Sequence, residues 1–199
     1  MSGQRSFDTL ASMSDDPPRI RTVREVEWGS YEYFNFDVTK PFAKLSSRKA
    51  RAAFGRLMKA IPLRLRELRT LLATNGVDMD DLGALHDWYV AAVQESHPSS
   101  GHIAGIWDCV ACDIGMLLGE LLVGATNGAL RWEMVDGPKD DIAFQEAVIR
   151  GFAVPDPTYY EDYMALVAMY GERIVRGEPP TEGFFESLIV DALSKAPAV

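Results

Sequence analysis

The sequence predicts an α+β domain, predominantly helical, with about six helices, one β-hairpin at about 129–149 and an N-terminal stretch readable as extended chain or one short strand. Three observations carry this reading. Apolar residues recur at helical spacing over most of the chain beyond Ser46. Helix stops such as Asn75-Gly76 and Asn127-Gly128 punctuate the apolar runs. Past the second stop the period falls to two, around the turn-forming stretch Asp136-Gly137-Pro138-Lys139-Asp140-Asp141. A length of 199 residues fits a single globular unit over 19–199, preceded by a flexible arm over 1–18. With 47% hydrophobic residues the chain can bury a core.

Each element has a local reason. Residues 1–18 are rich in Ser, Asp and Pro and offer few core formers. The stretch 20–38 carries Trp28, Tyr31, Tyr33, Phe34 and Phe36 in partial alternation, which suits extended chain. Ser46 or Ser47 caps a first helix over 46–60, and Pro62, unable to donate a hydrogen bond, separates it from a second over 62–75. A third helix over 79–95 takes Asp78 as its cap, and 97–101 forms a loop. The fourth, 103–124, is the most apolar and is expected at the centre. Its Gly115 and Gly119, four apart, allow a neighbour to approach closely. Strands near 130–134 and 142–149 make the hairpin, which needs further packing because two strands are marginal alone. Thr158 and Glu161 fit a capping box at the head of a fifth helix, and the sixth spans 181–195.

Composition narrows the function classes. The net charge of −9 disfavours non-specific nucleic-acid binding by the surface as a whole. No apolar run reaches the ~20 residues of a membrane span. The N-terminus has no apolar signal-peptide core, and two cysteines make no disulfide framework, so a cytoplasmic address is expected. The charge is unevenly placed: 40–69 holds ten Lys or Arg against Glu67 alone, giving +9 there and −18 for the remainder, and 70–130 contains no Lys or Arg. A basic stripe on helices can bind phosphate or nucleic acid. It can equally dock on its own acidic remainder or stand as a solvated face, and the scarcity of interleaved aromatics argues against nucleic acid.

Candidate sites stand beside plain structural readings. Cys109 and Cys112 form a CxxC pair, with His97 and His102 nearby as further metal ligands. The pair falls inside an apolar helix with no preceding strand, so buried core thiols are the favoured reading. Asp113 and Glu120, seven apart, share a helix face. They can line a cleft with Arg131 and Glu133, or take ion-pair partners from Arg131, Arg150 or the basic helices. No Walker loop, GxGxxG, HExxH or GxSxG signature occurs, so no catalytic residue and no cofactor is assigned. Tyr159, Tyr160 and Tyr163 beside Glu161 and Asp162 form a candidate protein-binding patch.

The run Asp113-Ile114-Gly115, Leu118-Gly119-Glu120, Ala129-Leu130-Arg131-Trp132-Glu133 and Ile149-Arg150-Gly151-Phe152 resembles small uncharacterised bacterial domains in which a glycine-bearing helix leads into a hairpin. Some of these look like immunity proteins of bacterial toxin systems. The resemblance covers about a fifth of the chain and implies no catalytic residues. The leading expectation is thus a non-enzymatic protein that binds and masks or regulates another protein, of unspecified identity and stoichiometry. The alternatives are an enzyme or small-ligand protein using a cleft between 103–124 and the hairpin, and nucleic-acid or phosphate binding by 40–69.

Overall fold

The computed structural model describes residues 26–34, 42–96, 102–103 and 105–198. Five α-helices and one two-stranded antiparallel hairpin make up these residues, so the fold is α+β and predominantly helical. The arm over 1–18, the loop over 97–101 and the outer parts of 20–38 lie outside them.

Helix α1 (Ser47–Thr74) is continuous where two helices are expected. Pro62 lies within it, on the exposed side. The lost hydrogen bond and ring clash cost ~3 kcal/mol. An unbroken buried face, Ala50, Ala53, Leu57, Ile61, Arg64, Leu68, Leu71 and Leu72, offsets that cost. The pattern of apolar residues thus outweighs the one local breaker.

Helix α2 (Leu82–Ser96) starts three residues later than expected. Asp81, rather than Asp78, accepts from the Ala84 NH, while Asp78 accepts from Asp80 in the preceding turn. Helix α3 (Ile106–Ala125) is the central element expected of the most apolar segment. It packs against α1, against both C-terminal helices and against the hairpin, and it is buried almost all round.

Strands β1 (Arg131–Met134) and β2 (Ala147–Arg150) pair with Trp132 opposite Ile149 and Glu133 opposite Val148. The return strand begins later than expected. Residues 138–145 turn instead, and Gln145 adopts a left-handed φ of 68° before β2. The free edge of β2 is then covered: Ile149 and Glu161 exchange backbone hydrogen bonds of 2.8 and 3.1 Å. This pairing keeps Glu161 extended, so the predicted capping box does not form. Helix α4 (Tyr163–Val175) starts after it, capped by Asp162, which accepts from the Ala165 NH at 2.9 Å. A final helix, α5 (Phe184–Ser194), packs on α2 and α3.

Both glycines of α3 act as close-approach points. A Cβ on Gly115 would lie 2.5 Å from the Met164 Cα in α4, and one on Gly119 would collide with the Trp132 indole of β1. The glycine pair therefore seats α4 and the hairpin on one helix.

Residues 26–34 form no strand. Their aromatics enter the core instead of a ladder. Trp28 meets Trp107 edge-on at 5.2 Å between centroids, and Trp107 lies 5.6 Å from Trp88. Tyr31 is buried beside them. Among the described residues no helix is long and apolar enough to cross a membrane.

Candidate functional site

The acidic residue expected to need a partner finds one in the basic segment. Arg64, on the inner face of α1, grips Asp113 of α3 with two hydrogen bonds, Nε to Oδ1 at 3.0 Å and Nη2 to Oδ2 at 2.7 Å. Tyr31 donates its hydroxyl to the same Oδ2 at 2.6 Å. The remaining guanidinium nitrogen reaches Glu67 and the Glu32 carbonyl. The guanidinium also lies over the Tyr31 and Phe34 rings, 4.9 and 5.1 Å from their centroids. Arg64 and Asp113 are 2% and 1% exposed, so each charge depends on the other for solvation. Burial pushes the Asp113 carboxyl up, against the pull of Arg64 and Tyr31. This is a clamp joining 26–34, α1 and α3, with each guanidinium nitrogen engaged.

The other proposed cleft residues do not gather around one opening. Glu120 accepts from the Trp132 indole at 2.9 Å, and Arg131 pairs with its neighbour Glu133 at 2.6 Å. The hairpin lies too close on Gly119 to leave a cleft there. The tyrosine patch is drawn inward. Tyr163 is buried, and Tyr159 and Tyr163 both donate to Glu161. Tyr160 donates to Asp141 at 2.6 Å. Lys195 of the C-terminus closes the set, donating to Tyr159 at 2.8 Å and Glu161 at 3.0 Å. Glu161 thus ties the sheet edge to the end of α5.

The thiols read as core groups. Cys109 is buried, burial pushes its thiol up, and Cys112 is pushed up to about 12 by the same cause. His97 lies outside the described residues, and His102 contacts Glu172 at 3.1 Å. Among the described residues no group of three or more His, Cys, Asp or Glu is placed to hold a metal.

Two features remain as candidate sites. The first is the outer face of α1. Arg48, Lys49, Arg56, Lys59 and Arg66 are exposed there. At 3.6 residues per turn Arg48, Lys59 and Arg66 fall in one line, roughly 27 Å from end to end. Arg51 and Arg69, off that line, bond Asp136 at 2.5 Å and Asp80 at 3.0–3.1 Å. Arg48, Lys49, Lys59 and Arg66 have no such partner among the described residues. The basic segment therefore divides three ways: Arg64 inward, Arg51 and Arg69 sideways onto the acidic remainder, and a stripe facing out.

The second is a cleft of about 370 Å³, missed by the sequence reading, where the 3-10 turn Phe42–Lys44, α1, α3, the hairpin and the head of α4 meet. Its walls are largely apolar, with Phe42, Leu57 and Met164 prominent, and Glu146 and Asp162 are its anionic groups. Burial and the nearby Asp162 charge push the Glu146 carboxyl up to about 7, and burial also raises Asp162. Ile142, 97% exposed, stands at its rim. Of the proposed binding patch only Asp162 reaches this cleft, as does Cys112 of the CxxC pair. A smaller cavity of about 100 Å³ lies beside Tyr33, Asp108 and Asp113. Among known proteins, no family model matches the chain, and no curated protein or solved structure gives a significant match.

Proposed function

We propose that the chain is a non-enzymatic interaction protein that binds another protein through the outer face of α1 and masks or regulates it. The observation that carries this reading is the stripe of Arg48, Lys49, Lys59 and Arg66, exposed and without acidic partners among the described residues, in a molecule that is otherwise strongly acidic. Like-charged side chains held in a row on a rigid helix favour a complementary acidic surface and speed encounter with it.

The stripe has limited length, and acidic groups stand at both ends: Asp136 beside Arg51 and Asp80 beside Arg69. A compact acidic patch on a protein fits between them. A long polyanion would have to run past these carboxylates, which speaks against nucleic acid. The resemblance of 113–152 to immunity-like domains points in the same direction, toward masking of a partner.

The test compares the parent chain with the variant R48E/K59E/R66E as baits in the native cell, with quantitative mass spectrometry of what co-purifies. The reading expects a protein that is retained by the parent, released as salt rises and lost from the folded triple variant. Equal recovery by both baits, or retention of nucleic acid in place of a protein, would overturn it.

A further inference from the structure

The larger cleft holds a chemistry that the α1 stripe does not use. It lies within the ~300–1,000 Å³ range of small-molecule sites. Among the described residues its apolar walls carry two carboxyl groups and no cation. Asp162 has a structural partner in the Ala165 NH. The Glu146 side chain has no hydrogen-bond or ionic partner among the described residues, although it is half-buried.

Its position is built rather than incidental. Gln145, next to it, is 2% exposed and is the buried non-glycine residue held at φ 68°. Its amide donates to the carbonyls of Phe42 and Leu45 at 2.9 and 3.2 Å, which pins one apolar wall of the cleft. Its backbone, with that of Glu146, closes onto Val135: Gln145 N to Val135 O at 2.9 Å and Val135 N to Glu146 O at 3.0 Å. In other proteins a non-glycine residue in the left-handed region is strained, and such residues cluster at binding sites. Here the turn directs Glu146 into the cleft while its neighbour fixes Phe42.

We propose that this cleft binds a small organic ammonium ion, the cation held by Glu146 and Asp162 and the apolar body lying against Phe42, Leu57 and Met164. A partly desolvated carboxylate lined by apolar groups favours a cation that brings its own apolar surface over a strongly hydrated metal ion. The site is distinct from the α1 face, so either reading stands if the other fails.

Titration of the full chain with hexylamine, followed by amide NMR at pH 8, tests this, with hexanol as the uncharged control. Among the described residues the titratable groups facing the cleft are Glu146, Asp162 and Cys112, and the Cys112 thiol stays neutral at that pH. Hexylamine is expected to saturate with shifts confined to the cleft, and hexanol to bind at least tenfold more weakly. Glu146→Gln, isosteric and without charge, is expected to lower amine affinity about tenfold with the spectrum otherwise retained. At pH 5.5 the parent is expected to lose a similar factor as Glu146 takes up a proton. Equal binding of hexanol and hexylamine, full affinity in Glu146→Gln, or shifts spread over the exposed acidic surface would each overturn the proposal. Ala168→Trp, which fills the cleft, is expected to abolish binding of both probes, and retained binding would equally overturn it.

Discussion

At the scale of single residues, two carboxyl groups have opposite situations. Asp113 is fully engaged by Arg64 and Tyr31, so removing either side of the pair strands the other charge in the core. Breaking a buried pair costs ~3–5 kcal/mol, whereas replacing both members by apolar groups is often close to neutral. Asp113→Ala is expected to lose about 3–5 kcal/mol in urea unfolding, and adding Arg64→Met to recover a large part of it. Additive losses in the double variant would show that the two residues act separately. Glu146 lacks such a partner among the described residues. Its folded-state carboxyl is pushed up to about 7, so between the ordinary glutamate range and about pH 7 the folded chain holds a proton that the unfolded chain has released. Stability contributed at low pH is therefore lost as pH rises through that window. Glu146→Gln is expected to flatten this fall and to be more stable than the parent at pH 8 by about 1–2 kcal/mol, less than full linkage because the group is half-exposed. Asp162 and Asp113, both raised by burial, leave a residual slope of the same sign. Unfolding midpoints at pH 5 and pH 8 decide the matter, and an unchanged slope in the variant would refute it.

At the scale of elements, the contacts of α3 set the architecture. Gly115 admits the α4 backbone at a distance that leaves no room for a methyl group. Gly115→Ala is expected to cost about 2–3 kcal/mol, as overpacking at a rigid contact does. A loss below 0.5 kcal/mol in chemical denaturation would mean that α4 can shift aside. This glycine pair was legible in the sequence, because a buried helix keeps a poor helix former only where something presses on it. The hairpin and the central helix were legible too, through their apolar periods. The differences share one cause: a tertiary contact decides where a local signal points elsewhere. Pro62 reads as a break, yet the buried face of α1 carries the helix through it. Thr158 and Glu161 read as a cap, yet Glu161 is held extended by Ile149. The cleft was invisible for a related reason. Glu146, Asp162, Phe42 and Leu57 are scattered in sequence, and no spacing rule connects them before the chain is folded. What could have been noticed is Glu146 itself, a charge set directly before the apolar run Ala147-Val148-Ile149.

At the scale of the molecule, the charge imbalance resolves into a single long helix used on three sides. Its inner side is neutralised by Asp113, one flank is stitched to Asp136 and Asp80, and its outer side leaves Arg48, Lys59 and Arg66 exposed. The same helix holds 26–34 in place through Arg64, and that short segment carries Trp28 into the core. Three of the four tryptophans, Trp28, Trp88 and Trp107, consequently form one chain of tilted and edge-on rings, while Trp132 sits apart under Glu120. The molecule therefore carries its own optical gauge. Excitation shared among the three rings makes near-ultraviolet circular dichroism and emission anisotropy sensitive to whether 26–34 is seated, with Trp132 as an internal reference. Arg64→Met is expected to erase the near-ultraviolet signal of the cluster before the far-ultraviolet helix signal falls, and simultaneous loss of both would show that the segment and the helices unfold as one. A spectrometer could thus follow the docking of nine residues without a label.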